Sequence, residues 1–438
     1  MQKNTITGFS RLSKQEKANW AAQHFFEHPE QVIRDWASFS HPDEATQKIL
    51  DGLSENTLSN YPLPYGIAPN FLIDGKAYAI PMVIEESSVV AAASSAAKFW
   101  MDRGGFHTEI LDTKKLGQVH FSWSGEVRKL YHVFDDLRAQ LLEEASPITA
   151  NMEKRGGGIR DIRLMDMTHL ESAYFQLMVA FDTCDSMGAN FINSVLESFA
   201  DTLQRFVQTH PDFSEQEKDL RIIMAILSNY TPECLVRAWV ECPIAAMDNC
   251  EGIDPADFAE KFHKAVRIAH IDPYRAATHN KGIFNGIDAV VLATGNDFRA
   301  IEACGHAFAA RDGHYRSLSD CSIEQGIFRF WLDIPLAVGT VGGLTTLHPL
   351  ARRSLELLGN PGATELMSII ASAGLAQNFA ALRSLITTGI QKGHMKMHLM
   401  NILNHLGATP EAINKAVDYF SDKVVSFTAV REFIQREG

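Results

Sequence analysis

Between residues 113 and about 229 the hydrophobic pattern changes period in a fixed order, and this constrains the fold more than any other stretch. Residues 119–123 predict a strand and 126–145 an amphipathic helix. Residues 158–167 and 172–182 alternate apolar and polar positions, as half-buried strands do. A long helix follows over about 187–209, and a strand over 219–227. That order, βαββαβ, is the split-βαβ or ferredoxin-like pattern. No G-x-G-x-x-G opens a helix after a strand, so the unit is not a Rossmann domain.

The flanking sequence reads differently. Residues 10–54 predict amphipathic helices, with Ser13 and Glu16 spaced as a capping box. Residues 53–70 contain three prolines and predict an ordered loop. A hairpin over 71–84, turning at Asp74-Gly75, leads into Glu85, Glu86, Ser87, Ser88 and a small-residue helix over 89–98. Downstream, 230–390 predicts a larger α+β body. It contains a helix over 254–270 begun by Asp254 and Pro255, a helix over 298–310 and a strand over 325–335. Beyond Asn360-Pro361-Gly362 the pattern is helical, and 402–438 has its own capping signal at Thr409, as a small lid would.

With 438 residues, 46 % of them apolar, the chain has material for two or three domains. A net charge of −13 argues against nucleic acid as the main partner. No run of 18 apolar residues predicts a membrane span, and the first residues lack the apolar core of a signal peptide. Six cysteines with no C-x-x-C pair read as reduced thiols of a cytoplasmic protein, not a disulfide frame or a metal site.

The chemistry concentrates in residues 272–288 and 293–297. Arg275, Thr278, His279, Asn280, Lys281, Asn285, Asp288 and Asp297 stand there among small and apolar residues. Such groups are expected to be partly desolvated, which shifts pKa values; a structural Lys–Asp ion pair is the plain alternative. Glu85 and Glu86 either complement a helix dipole, or one of them is pressed inside with a raised pKa and donates a proton. Asp185-Ser-Met-Gly-Ala-Asn190 lies where a strand gives way to a helix, a place for a nucleotide phosphate. The glycine-rich 337–346 could cradle phosphate or simply turn the chain. Residues 389–398, with His394 and His398, could hinge at Gly389 and Gly393.

Five blocks carry a family resemblance: Glu85-Glu86-Ser-Ser-Val-Val, Asp185-Ser-Met-Gly-Ala-Asn, Asp272-Pro-Tyr-Arg-Ala-Ala-Thr-His-Asn-Lys-Gly, Ala293-Thr-Gly-Asn-Asp and Gly393-His-Met. In this order and spacing the chain, from about residue 50 to 400, resembles the 3-hydroxy-3-methylglutaryl-coenzyme A reductases of the soluble, bacterial-type class II. The resemblance implies an α+β fold: a large, mostly helical α+β domain, an inserted ferredoxin-like domain that binds nucleotide, and a small helical C-terminal lid. The corresponding segments are 1–112 and 230–388, then 113–229, and 389–438. It further implies a homo-oligomer, a dimer at least and commonly a trimer of dimers.

It also implies a reduction of a CoA thioester to an alcohol by two hydride transfers from a nicotinamide cofactor. The catalytic groups would be Glu86, Lys281, Asp297 and His394. Lys281 would stabilise the oxyanion and Glu86 would donate a proton. Asp297, between them, would tune both, and His394 would protonate the departing thiolate. Arg275, Ser88, Thr278, Asn285 and His398 would bind substrate. Asp185, Met187, Gly188 and Asn190 would hold the cofactor. Thr149, counted back from Gly156, would stand where some NADH-using members carry an acid, which favours NADPH over NADH. Ser59 departs from the family's usual glycine. A CoA-thioester hydrolase or lyase, and a non-catalytic CoA-binding protein, remain as other readings; the first would need no nucleotide block, and the second would be expected to have lost a catalytic group.

Overall fold

The computed structural model describes residues 4–247, 252–387, 389, 399–421 and 423–437. Strands β1 (Tyr65–Ile73) and β2 (Lys76–Val83) form the expected hairpin. Both turn residues have positive φ, 48° at Asp74 and 80° at Gly75, as a type I′ turn requires. The strand starts earlier than expected, inside the proline-rich 53–70, because Pro64 lies before it and Pro69 sits at the irregularity between Ala68 and Phe71. Helix Val89–Met101 follows directly; its alanines let it pack closely on β1.

After β3 (His107–Ile110), the βαββαβ unit comprises β4 (Lys115–Ser122), helix Phe134–Glu153, β5 (Gly158–Asp166), β6 (Tyr174–Asp182), helix Ala189–Thr209 and β7 (Arg221–Leu227). Its strands lie in the order β5-β6-β4-β7, all antiparallel, as the ferredoxin-like arrangement demands. The two helices cover one face through Leu137, Leu141, Val195, Phe199 and Leu203, a core of its own. Strand β4 begins at Lys115, four residues before the expected start, and the first helix runs on to Glu153.

The second four-stranded sheet has the order β3-β8-β10-β9, with β8 (Leu235–Pro243), β9 (Ser319–Glu324) and β10 (Ile327–Pro335). Of these, the sequence reading identified only β10. Helices Pro255–Ile271, Pro273–Ala293 and Ala363–Ile386 pack with this sheet, around Trp100, Phe262, Phe328 and Phe379. Each such ring, fully buried, contributes about 1.5–3 kcal/mol. Helix Ala363–Ile386 is long and apolar enough to cross a membrane by composition, but 67 % of its most apolar window is buried inside the protein. It is the core helix. Gly286 lets helix Pro273–Ala293 lie against it, since a Cβ there would come within 2.6 Å of the Ala373 carbonyl.

Helices Lys14–Phe25, Pro29–Ser38 and Glu44–Asp51 form an N-terminal arm, the first closed by the expected Ser13–Glu16 capping box. At the other end, helices Pro410–Tyr419 and Phe427–Glu437 share a small separate core with Leu403, Phe420 and Val430.

Candidate active site

Three elements converge on one carboxylate. The hairpin ends at Val83 and the chain turns through Glu86 into the helix that begins at Val89. Ser88 occupies the N-cap of that helix, yet its hydroxyl makes no cap bond and instead donates to Glu86 Oε1 at 3.1 Å. From helix Pro273–Ala293, Lys281 Nζ donates to Glu86 Oε2 at 3.0 Å and Asn285 Nδ2 at 3.4 Å. Lys281 and Asn285 are one turn apart, so the helix presents both on one stripe.

This pair is not kept for stability. The Lys281 side chain is 65 % exposed and that of Glu86 32 %. An ion pair so exposed contributes about 0–1 kcal/mol. The expectation that Glu85 or Glu86 is pressed into the interior is corrected: Glu85 is exposed and Glu86 only half-buried, because the turn carrying them lies on the surface. Helix Pro273–Ala293 is likewise two-sided. His279 and Asn280 are buried, whereas Thr278 and Lys281 are exposed. His279 bonds Ser319 Oγ at 2.7 Å, and burial, with Arg275 nearby, depresses its pKa to about 3; it is a neutral core residue.

Arg275 is half-buried, its pKa is lowered by desolvation, and it has no hydrogen bond or ion pair among the described residues. A guanidinium desolvated without a counter-charge is costly unless a ligand supplies one. Thr278 is one turn away, its hydroxyl resting on the Tyr274 carbonyl at 3.3 Å.

Asp297 departs from expectation. Its carboxylate caps helix Phe298–Ala309, accepting from the amides of Arg299 and Ala300, and pairs with the Arg299 guanidinium at 3.0 Å. No hydrogen bond or ion pair joins it to Lys281; capping geometry has claimed the carboxylate. His394 and His398 lie outside the described residues.

Residues 185–190 form a second constellation. Gly188 is the N-cap of helix Ala189–Thr209, with φ 87°, and a Cβ there would stand 2.4 Å from Thr183. The first amides of a helix have no intrahelical acceptor, and beside them here Met187 is half-buried and Asn190 exposed. Asp185 ties the block to the large domain: its carboxylate accepts from the Ala363 amide at 2.7 Å and its carbonyl from Thr340 at 2.8 Å. Residues 337–346 therefore abut this block, with Ser186 bridged to Val341. Thr149 is corrected. It is 2 % exposed and continues the buried stripe Leu137, Leu141, Ala145, so its side chain faces the domain core.

The family model for hydroxymethylglutaryl-coenzyme A reductase matches residues 22–399. The chain belongs to the hydroxymethylglutaryl-coenzyme A reductase family. The 3-hydroxy-3-methylglutaryl-coenzyme A reductase of Archaeoglobus fulgidus is 36 % identical to it over 98 % of this chain and 94 % of the relative. A probable reductase of Borreliella burgdorferi is 33 % identical over 97 % and 93 %. Among solved structures, a reductase from Streptococcus pneumoniae superposes with a TM-score of 0.73 at 36 % identity, covering 99 % of this chain and all of that one. The class II reductase of the same organism, bound to NADPH in open conformations, gives a TM-score of 0.72 at 38 % identity over 87 % of this chain. These similarities make the chain a class II member and an oxidoreductase with the family's mixed α and β fold.

In this reductase the structure brings together Glu86, Ser88, Lys281 and Asn285, with Arg275 and Thr278 on the same helix, and gathers Asp185, Met187 and Gly188 at the domain junction. It shows no hydrogen bond or ion pair between Asp297 and Lys281 and places Thr149 inside the core. Sequence reasoning missed Lys115, buried against Thr183 and Ser186 beside the 185–190 block. Only a correct start for β4 could have revealed it.

Proposed function

We propose that Glu86 and Lys281 are the acid and the oxyanion-stabilising cation of hydroxymethylglutaryl-CoA reduction to mevalonate and CoA, with NADPH as the reductant. The observation that carries this is the 3.0 Å Lys281–Glu86 pair, held open to solvent by Ser88 and Asn285. When bound, the dinucleotide supplies hydride to the substrate carbonyl, first of the thioester and then of the aldehyde.

Lys281 stands ready to donate to the oxygen that gains negative charge in each reduction. Glu86, hydrogen-bonded to that ammonium, is placed to pass a proton to the same oxygen through it or beside it. Asn285 and Ser88 hold the Glu86 carboxyl in orientation, and Ser88 is also within reach of a substrate hydroxyl. Arg275 lacks a partner and would take the substrate's free carboxylate as a bidentate pair, with Thr278 beside it. Asp297 fixes the start of its helix and pairs with Arg299, and would tune Glu86 and Lys281 through its charge. His394 would protonate the CoA thiolate, with His398 at the substrate, once the C-terminal segment from 389 covers the site. Asp185, Met187, Gly188 and Asn190 would hold the dinucleotide across the domain junction; the helix N-terminus fits a pyrophosphate.

Exposed Phe25, Phe26, Phe39 and Tyr61 on the N-terminal arm and the loop after it favour a second copy of the chain as their cover, so the working unit is a dimer or a trimer of dimers. Among the described residues no disulfide joins Cys184, Cys234, Cys242, Cys304 or Cys321, which fits a cytoplasmic location. Lys281→Ala tests the reading: turnover lost with CoA-ester binding intact supports it, and retained turnover removes it.

A further inference from the structure

Lys115, at the first position of β4, is 5 % exposed. Its ammonium donates to Thr183 Oγ1 at 2.6 Å and to the Ser186 carbonyl at 2.8 Å. Thr183 also donates to the Ser186 carbonyl at 2.6 Å, so one cation and one hydroxyl close the turn that leads to Gly188. That turn is the nucleotide block, and the Thr183 side chain is the wall that excludes a Cβ at Gly188.

Both acceptors are neutral. No carboxylate lies within ion-pairing distance of Lys115 among the described residues. The charged or titratable groups that face it are Asp182, Cys184 and Asp185 from the turn and Cys234 from the segment before β8. Each is otherwise engaged or uncharged. Asp182 pairs with Arg160 and accepts from Thr113 and the Cys184 amide. Asp185 caps helix Ala363–Ile386 through the Ala363 amide. Burial raises the Cys184 thiol and pushes Cys234 up to about 12, so both stay neutral.

A buried ammonium without a counter-ion costs several kcal/mol. Here it also sits under a helix N-terminus, whose partial charge has the same sign. Two like charges packed together are unfavourable unless a third party of opposite sign completes them. A 150 Å³ cavity lined by Lys115, Cys184, Asp185, Cys234, Val338 and Ala363 adjoins the ammonium, so the surrounding space is not fully filled by side chains.

We propose that Lys115 is a positioning residue for the dinucleotide, holding the 183–188 turn in shape and supplying from below a buried charge that the bound pyrophosphate completes. This rests on the cofactor site assigned above. Burial lowers the lysine's pKa in the free protein; an anion above it raises that pKa again. Binding therefore takes up a proton in the window between the two values. NADPH affinity is greatest at the acid side of that window and falls as pH rises through it.

The test is calorimetric titration of NADPH into the full-length protein in two buffers of different ionisation enthalpy, for wild type, Lys115→Met and Lys115→Arg. Gly188→Val serves as a control for the site. Expected are proton uptake by wild type that grows toward alkaline pH, its loss in Lys115→Met, and a rise in Kd of about tenfold for each unit of pKa change forgone. Lys115→Arg should recover part of the affinity without the uptake, because arginine does not titrate there. In steady state Lys115→Met should raise KM for NADPH and leave KM for the CoA ester unchanged. Wild type that binds NADPH with no proton uptake at any pH overturns the proposal, even if Lys115→Met does not fold. So does a folded Lys115→Met that binds as tightly as wild type. If Gly188→Val binds NADPH normally, the cofactor-site reading fails instead.

Discussion

Lys281 and Glu86, 195 positions apart in the chain, meet at 3.0 Å on the surface of the large domain. The hairpin delivers one and helix Pro273–Ala293 the other; these two elements pack directly on each other, and helix Val89–Met101 packs against both. A pair so exposed adds little to folding, so removing either partner should damage chemistry far more than stability. Lys281→Ala is expected to lower kcat by about 10²–10³-fold, the loss typical of one oxyanion donor, with an unchanged melting temperature. A kcat within a few-fold of wild type would contradict this.

Glu86→Gln keeps an acceptor for Lys281 and Ser88 but has no proton to give. Turnover should fall by roughly 10²–10⁴-fold while KM for the CoA ester changes little. Single-turnover analysis should show the aldehyde reduction as the step that suffers. An equal loss in KM and kcat would make Glu86 a binding residue.

Arg275 is half-buried and has no partner to lose in the free protein. Arg275→Ala is therefore expected to raise KM for the CoA ester by about thirtyfold or more and leave folding intact, as loss of one side of a desolvated charge pair does. A KM unchanged from wild type would place the substrate carboxylate elsewhere.

These residues differ in how legible they were. The hairpin turn at Asp74-Gly75, the Ser13 capping box and the βαββαβ order follow from local rules of backbone geometry and periodicity, and the structure has them. The Glu85–Ser88, 272–281 and 185–190 blocks were legible as dense polar sequence between apolar segments. What was not legible depends on which way a side chain points. Thr149 was counted by position, and four-residue steps along its helix place it on the buried stripe with Leu141 and Ala145. Asp297 was read as a catalytic neighbour of Lys281, but an acid just before a helix is first a cap. Lys115 lies before the expected start of its strand, so the apolar pattern carried no sign of its burial.

Asp288 supplies a prediction about stability and pH. Two turns beyond Lys281, its carboxyl has one buried oxygen without a hydrogen bond, and burial together with the Glu302 carboxyl raises its pKa to about 8. An unfolded Asp titrates near 3.9. The folded state therefore holds a proton that the unfolded state releases, and stability falls as pH rises from about 4 to about 8. Asp288→Asn removes that slope. Melting curves should show the variant gaining on wild type from pH 5 to pH 8 by a few degrees. Parallel curves would mean that Asp288 is ionised throughout.

Gly188 tests the nucleotide block. A valine there would adopt φ 87° and place its Cβ 2.4 Å from Thr183. Strain of about 1–2 kcal/mol for the backbone alone, plus the clash, should displace the helix start. NADPH binding should be lost while the CoA ester still binds. Retained NADPH binding would mean that the phosphates lie elsewhere.

Reduction of the CoA thioester by two successive hydride transfers is proposed to run at the Glu86–Lys281 pair. The most direct measurement follows NADPH absorbance and free thiol together, with hydroxymethylglutaryl-CoA as substrate, for wild type and Lys281→Ala. Two NADPH consumed per CoA released by wild type, and neither change in the variant, is the predicted result. Thiol release without NADPH consumption would contradict it and make the protein a thioester hydrolase.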